Sequence, residues 1–137
     1  MSGGEAALSL KKIFKRVKAA LRSKHLPGID ESTSYGTPSL RAGGKLMVRV
    51  KDNDTLVLLC PLEEKEMLMA AEPAIYFETD HYKGWPAVLV RMSKIGDAEL
   101  RHRLERCWRY RAPKRLVAQF DGAITASKKP SRGKRRT

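Results

Sequence analysis

The stretch KLMVRVKDNDTLVLLC, residues 45–60, decides the fold class. Its first part alternates, with Leu46, Val48 and Val50 on one side and Lys45, Met47, Arg49 and Lys51 on the other. Such alternation predicts a strand with one apolar face and one mostly basic face. Asp52-Asn53-Asp54 supplies a turn, and residues 55–60 return as a more fully buried strand. The stretch therefore predicts a β-hairpin that covers a hydrophobic core.

The residues before this hairpin predict a helix, a loop and a further strand. Gly43-Gly44 would connect the hairpin to a short strand at residues 38–42, and residues 29–38, rich in Ser, Thr, Gly and acids, are typical of a loop. Helical spacing of apolar residues predicts a first helix over residues 9–23, which Pro27 and Gly28 end. Its apolar face consists of Leu10, Ile13, Phe14, Val17, Ala20 and Leu21.

The residues after the hairpin predict two strands between helices. Pro61 suits the first position of a short helix that ends before Pro73. Strands follow at residues 75–78 and 87–92, then a helix capped by Asp97 and a last helix from Pro113 to about residue 120. This order, α-β-β-β-α-β-β-α-α, predicts a two-layer α+β fold. In such a fold an antiparallel sheet carries its helices on one face.

Length and composition indicate one domain. The 137 residues are 42% hydrophobic and 31% charged, which is enough for one core but not for two catalytic domains. We predict a single domain over residues 1–120 and a disordered basic tail over residues 121–137, where apolar residues are scarce. Because the sequence has neither a secretory peptide nor an apolar span, the expected location is the cytoplasm. Cys60 and Cys107 are too few for a zinc site and are predicted to be reduced core residues.

The net charge of +13 is concentrated at the two ends of the chain. Residues 1–25 carry +6 and residues 121–137 carry +5, whereas residues 26–120 carry only +2. Such basic surfaces are typical of proteins that bind polyanions, because neutralised phosphates release counterions. DNA is the predicted partner, through non-specific phosphate contacts; alternatively, the tail is a solvated segment that keeps the protein soluble. The predicted nucleic-acid-binding residues are Lys11, Lys12, Lys15, Arg16, Lys45, Arg49, Lys128, Lys129, Arg132, Lys134, Arg135 and Arg136.

No residue pattern predicts a catalytic centre. The sequence lacks a Gly-x-Ser-x-Gly elbow, a phosphate loop, a dinucleotide fingerprint and an HExxH helix. His25, His81 and His102 do not have the spacing of paired metal ligands, so neither a metal nor a cofactor is predicted. An enzyme is therefore the least favoured class, and it would use His81 and Tyr82 as acid and base.

One predicted turn combines several chemically active side chains. His81, Tyr82, Lys83 and Trp85 place an imidazole, a phenol, an ammonium and an indole close together in the sequence. Such a turn can recognise a ligand or a base. The alternative is structural, with the two large aromatic rings packed on the sheet edge.

Three segments of the sequence are distinctive when they are taken together. They are LPGIDESTSYGTPSLRAGGKL (residues 26–46), AAEPAIYFETDHYKGWPAVLVRM (residues 70–92) and CWRYRAPKRLV (residues 107–117). Over about residues 13–118 the chain resembles the MmcQ/YjbR-like family of small bacterial proteins. The resemblance implies an α+β fold with helices on one side of an antiparallel sheet.

The resemblance also implies a DNA-binding role, which has been proposed for the family from a double-wing arrangement of two projecting hairpins. In this chain the wings would be the turns at residues 52–54 and 81–85. The two aspartates of the first turn oppose contact with phosphate.

Two functions remain open from the sequence. The first is a non-catalytic nucleic-acid-binding accessory protein that uses the basic tail, the first helix and the basic face of the sheet. The second is a protein- or small-anion-binding module with a pocket on the sheet. The candidate pocket residues are Tyr35, Lys45, His81, Tyr82, Lys83 and Trp85.

Overall fold

In the computed structural model, which describes residues 2–128 and the side chains of residues 10–123, six strands form one antiparallel sheet. The elements are α1 (Ser2–Lys24), β1 (Ile29–Ser34), β2 (Thr37–Ala42), β3 (Lys45–Val50), β4 (Thr55–Leu59), α2 (Leu62–Ala71), β5 (Tyr76–Phe77), a 3-10 turn (Asp80–Tyr82), β6 (Ala87–Arg91), α3 (Asp97–Arg111) and α4 (Lys114–Lys128). The strand order across the sheet is β1-β2-β3-β4-β6-β5. The predicted two-layer α+β class, with helices on one face, is confirmed.

Helices α1 and α3 pack across one face of the sheet and enclose the main core. Its most deeply buried side chains include Val17, Leu104 and Trp108 from the helices and Val48, Leu58 and Val88 from the strands. The indole N–H of Trp108 donates a hydrogen bond of 2.9 Å to the carbonyl oxygen of Pro27. Helix α3 therefore also holds the segment between α1 and β1.

Residues 29–34, predicted as part of a loop, form the edge strand β1. The sequence IDESTS has one apolar residue, so it lacks the alternation that identifies a half-buried strand. The strand pairs with β2, and the turn Tyr35-Gly36 between them has positive φ at both residues (53° and 77°), as a type I′ turn requires. The turn and the pairing with β2, rather than hydrophobicity, explain this strand.

Two helices are longer than predicted. Helix α1 begins at Ser2, and α4 continues to Lys128, so the first part of the predicted disordered tail is helical. The rest of that tail lies outside the described residues. Alanines in both extensions favour the helix. Arg109 of α3 donates hydrogen bonds of 2.9 and 3.1 Å to Asp121 of α4, which lowers the pKa of this carboxyl and connects the two helices.

A β-bulge at Met47 changes the predicted face of Lys45. Leu40 pairs with Val48 but the next residue, Arg41, pairs with Leu46, so Met47 is an extra residue in β3. Met47 and Val48 are consequently both buried in the core. Because directly paired residues share a face, Lys45 lies on the helix side of the sheet, whereas Arg49 lies on the opposite side. The prediction of one basic face with Lys45 and Arg49 was wrong.

The hairpin between β2 and β3 fits closely against the start of α4. Gly43 and Gly44 both have positive φ (55° and 89°), a conformation that side chains with a Cβ rarely adopt. A Cβ atom on Gly43 would lie 2.3 Å from Cδ of Pro113, whereas one on Gly44 would meet nothing within 4 Å. Both glycines thus lie in the positive-φ region, but only Gly43 is closely packed.

This difference predicts unequal costs for the same substitution. Gly44→Ala should lower the free energy of unfolding by about 1–2 kcal/mol, because only the left-handed conformation is penalised. Gly43→Ala should lower it by about 2–5 kcal/mol, because the new methyl group also displaces Pro113. Urea unfolding followed by circular dichroism measures both values. Equal losses in the two variants would contradict the close packing.

Candidate functional site

The sheet face opposite α1 and α3, called here the outer face, carries a loop over part of its surface. The outer face includes Thr37, Ser39, Arg49, Val57, Leu89 and Arg91. The loop of residues 79–86 contains the 3-10 turn, and its Tyr82 is buried in a second small cluster with Val57, Ala87 and Leu89. Tyr82 therefore attaches this loop, which the family resemblance offers as the second wing, to the outer face.

The side chain of Lys65 in α2 holds this loop in place. Lys65 is only 1% exposed. Its ammonium donates hydrogen bonds of 2.7 Å to the carbonyl oxygen of Tyr82 and 2.9 Å to that of Trp85, and it forms an ion pair of 2.8 Å with Glu78. A buried charge requires such partners because desolvation is costly. No sequence pattern predicted this role, because a lysine in a short helix is usually exposed.

A row of polar and aromatic groups crosses the outer face; we call it the Arg49 row, and it consists of Tyr35, Thr37, Arg49, Tyr82 and His81. The Arg49 guanidinium donates hydrogen bonds of 3.1 Å to Oγ1 of Thr37 and 2.9 Å to the hydroxyl of Tyr82. Its Cζ lies 5.2 Å from the ring centre of Tyr35, and the rings of Tyr82 and His81 meet edge to face at 5.1 Å. Tyr35 is 89% exposed.

The Arg49 row contains three of the six predicted pocket residues. Arg49, predicted as a phosphate contact, contacts both Tyr35 and Tyr82, and Tyr82 contacts His81. Thr37 was missed because a lone threonine has no distinctive sequence pattern. Lys83 and Trp85 are exposed in the loop next to Tyr82, whereas Lys45 is separated from the row by the bulge at Met47.

Cationic side chains gather around the hairpin between β2 and β3. Arg41 donates a hydrogen bond of 3.2 Å to the Gly44 carbonyl oxygen, and Arg111 donates one of 2.7 Å to that of Leu46. Lys45 is the first residue of β3, and two further cations follow Pro113, which packs on Gly43. We call this set the hairpin patch; it consists of Arg41, Lys45, Arg111, Lys114 and Arg115. Within residues 10–123, none of these five side chains forms an ion pair with a carboxylate.

The other predicted phosphate-binding residues fall into three groups. Lys11, Lys12 and Lys15 are exposed on α1. Arg16 instead donates hydrogen bonds to the carbonyl oxygens of Met92 (2.6 Å) and Ile95 (2.7 Å) and to Asp97 (3.0 Å), so its role is to connect α1 to the start of α3. For the tail, the backbone of Lys128 ends α4 but its side chain is not described. Lys129, Arg132, Lys134, Arg135 and Arg136 lie outside the described residues.

Three of the five arginines of α3 are held by carboxylates. Arg103 and Arg106 form ion pairs of 3.1 and 3.2 Å with the buried Glu64 of α2. Arg109 forms an ion pair of 3.1 Å with Glu105. These pairs compete with phosphate contact, so the hairpin patch offers a better cationic surface than this part of α3.

The two thiols are free and buried, as predicted. Burial raises the pKa of the Cys60 thiol to about 12 and also raises that of Cys107. Because the thiolate is the reactive form, neither group is a nucleophile near neutral pH. Among the described residues there is no cluster of three His, Cys, Asp or Glu side chains that could hold a metal ion. No helix within residues 2–128 has the length and hydropathy to cross a membrane.

Comparison with known proteins places residues 24–110 in a recognised group. This segment matches the model of the YjbR family. Similar relatives include uncharacterized proteins of Mycobacterium bovis and of two strains of Mycobacterium tuberculosis, each 45% identical over 56 residues. The matched segment spans 41% of this chain and 43% of each relative. No solved structure shows a significant match.

The role of Lys65 predicts a large effect of its removal. Lys65→Met should lower the free energy of unfolding by about 3–5 kcal/mol, because Glu78 and two carbonyl oxygens lose their cationic partner. Urea unfolding measures this loss, and hydrogen exchange should show weaker protection of residues 82–87. The matched control is Lys83→Met, which removes an exposed ammonium and should change stability by less than about 0.5 kcal/mol. Similar effects of the two substitutions would contradict the buried contacts.

The burial of the thiols predicts slow alkylation of the native protein. Iodoacetamide at pH 8 should leave Cys60 and Cys107 unmodified in the folded chain, because both thiols are protonated and inaccessible. In guanidinium chloride both should react, as mass spectrometry would show. Rapid modification of either residue without denaturant would contradict the described core.

Proposed function

This chain belongs to the YjbR family, and we propose that it is a non-catalytic accessory protein that binds the phosphate backbone of DNA. The proposed binding surface is the hairpin patch, in which five cations without acidic partners among the described residues surround one hairpin. The absence of acidic ion-pair partners among the described residues carries this proposal. Cations without acidic partners keep a positive charge that can attract phosphate, and each neutralised phosphate releases counterions.

The start of α4 supports the same surface. A helix N-terminus carries a partial positive charge, so cations in the first turn are unfavourable for the helix itself. Here Lys114 and Arg115 occupy that turn, and it contains no acidic residue. Two cations at the positive end of a helix, beside Lys45 and Arg111, add to one positive potential. This arrangement is unfavourable for the stability of α4 but favourable for binding a polyanion.

The geometry favours the hairpin patch over the two turns that the family resemblance offers as wings. In the first turn, Asp54 accepts hydrogen bonds from the backbone N–H and hydroxyl of Ser93, at 2.7 and 2.8 Å, and Asp52 is exposed. The carboxylates repel phosphate there. The second turn is held against the outer face by Lys65. Neither turn offers the cluster of cations that the hairpin patch has.

The proposed binding is independent of base sequence. Contacts between basic side chains and phosphates fix the position of a protein on DNA but carry no sequence information. Lys11, Lys12 and Lys15 of α1 and the cations of residues 128–136 would add further phosphate contacts of the same kind. The proposed compartment is the cytoplasm, where free thiols such as those of Cys60 and Cys107 remain reduced.

Fluorescence anisotropy with a labelled DNA duplex tests the proposal. The double variant Lys45→Gln/Lys114→Gln should weaken binding and reduce the slope of log affinity against log salt by about 1.8, since each lost phosphate contact contributes about 0.9. The matched control is Lys51→Gln/Lys94→Gln, which removes two charges near the turn of residues 52–54, at the other end of β3, and should leave the slope nearly unchanged.

The binding results of these variants distinguish between the hairpin patch and the turn of residues 52–54. A larger loss in the control variant would place the contact at the turn of residues 52–54 and reject the hairpin patch. No binding by the unmodified chain at low salt would reject DNA as the partner. A truncation after Lys128 reports separately on residues 129–137, because it leaves the whole of α4 in place.

A further inference from the structure

We propose that the Arg49 row is a binding site for a nucleotide unit, with the phosphate on Arg49 and the base against Tyr35. The row lies on the outer face, whereas Lys45 of the hairpin patch lies on the helix side of the sheet. Arg41 of the hairpin patch shares the outer face but donates its hydrogen bond to Gly44 at the turn, whereas Arg49 donates to Thr37 and Tyr82. The Arg49 row therefore has no residue in common with the surface proposed for duplex DNA, and it does not depend on that proposal.

Arg49 has a charge that no acidic group among the described residues balances. Its two hydrogen-bond partners are neutral hydroxyls, those of Thr37 and Tyr82. The guanidinium has five N–H donors in a planar fork, so donors remain for a ligand. The side chain is half-buried, which strengthens its attraction for an anion relative to a fully solvated cation. A phosphate group fits this fork with two parallel hydrogen bonds.

Tyr35 has the left-handed conformation that its two-residue turn requires, but an exposed aromatic ring is an unusual residue for that position. Its φ of 53° lies in the left-handed region, where a bulky residue is strained and Asn or Gly is usual in a hairpin turn. With 89% of its surface exposed, the ring contributes almost nothing to the core. Strain of this kind is typical of functional sites. The ring lies beside Arg49 and can stack on a planar base.

Tyr82 and His81 complete the site on its other side. The Tyr82 hydroxyl accepts a hydrogen bond from Arg49 and retains its own proton, which it can donate to a phosphate oxygen. His81 is exposed and packs edge to face on Tyr82. Because Lys65 holds the backbone of Tyr82, the site is arranged before a ligand arrives. Such preorganisation lowers the entropic cost of binding.

The combination of a guanidinium with a stacking ring favours a nucleotide over a simple anion or an acidic peptide. A carboxylate or an inorganic phosphate would use Arg49 but leave the exposed ring of Tyr35 without a role. Proteins that bind single-stranded nucleic acids combine cations with aromatic rings on which bases stack. A nucleotide unit can come from a free mononucleotide or from a single strand, and both sources present the same phosphate and base.

Titration of the full chain with four probes tests the site. They are adenosine monophosphate, adenosine, inorganic phosphate and a single-stranded oligothymidylate of about ten nucleotides. Calorimetry should show that adenosine monophosphate binds more tightly than adenosine and phosphate, which each supply half of the contacts. Tighter binding of the oligonucleotide would identify the single strand as the source, and equal or weaker binding would identify the free nucleotide. Failure of both nucleotide probes would overturn the proposal.

Single substitutions identify the side chains that contact the nucleotide. Arg49→Gln should weaken nucleotide binding by about tenfold or more, through loss of charged hydrogen bonds. Tyr35→Asn should weaken it by about tenfold through loss of stacking, and the fold should tolerate it because Asn adopts the left-handed conformation readily. The matched control is Arg91→Gln on the same face, where the guanidinium lies 3.9 Å from the ring centre of Phe77; binding should not change.

The comparison between variants decides the outcome. Equal losses in Arg49→Gln and Arg91→Gln would indicate general electrostatics and overturn the proposal. If Arg49→Gln unfolds the chain, Tyr35→Asn still decides, because it replaces an exposed side chain. The double variant Lys45→Gln/Lys114→Gln should retain nucleotide binding, so failure of this site is distinguishable from failure of the hairpin patch.

Discussion

Burial of the Lys65 ammonium constrains where the loop between β5 and β6 can lie. A cation removed from water needs oxygen atoms around it, and in this chain they come from Glu78 and from the backbone of Tyr82 and Trp85. The loop must therefore keep the carbonyl oxygens of Tyr82 and Trp85 within hydrogen-bond distance of the Lys65 ammonium. Tyr82 then covers Val57 and Leu89, and its hydroxyl reaches Arg49. One buried charge in a short helix thus helps to hold the loop whose Tyr82 lies beside Arg49 on the outer face.

The bulge at Met47 divides the basic residues of β3 between two environments. Without the extra residue, Lys45 and Arg49 would point to the same side, as the alternation of the sequence predicts. With it, Lys45 joins the hairpin patch near α4, while Arg49 joins the aromatic groups of the outer face. The same bulge buries the side chain of Met47 in the core. A single irregularity in the register therefore places the two cations in different surroundings, Lys45 beside the β2–β3 turn and Arg49 among hydroxyl and aromatic groups.

Sequence periodicity predicted the parts of the fold that depend on local pattern. The alternation in β3, the apolar run of β4 and the helical spacing in α1 are each visible within a few residues, and the family resemblance agreed with the class they imply. The strand β1 could not be predicted, because its polar sequence becomes a strand only through pairing with β2. The roles of Arg16 and Lys65 depend on carbonyl groups far away in the sequence. Such contacts have no local signal.

For the candidate site too, only the residues with a local sequence pattern could be singled out in advance. The turn of His81 and Tyr82 was notable from its composition, and Tyr35 from its place beside a glycine. The bulge at Met47 places Arg49, and not Lys45, beside these residues. No local pattern in the sequence predicted the bulge.

The close fit between Gly43 and Pro113 also couples two positions that are far apart in the sequence. While a proline occupies position 113, position 43 has no room for a Cβ atom. While position 43 is a glycine, a smaller residue at position 113 leaves a gap under the start of α4. Neither position can therefore vary freely during divergence, and an exchange at one is tolerated best when the other changes with it.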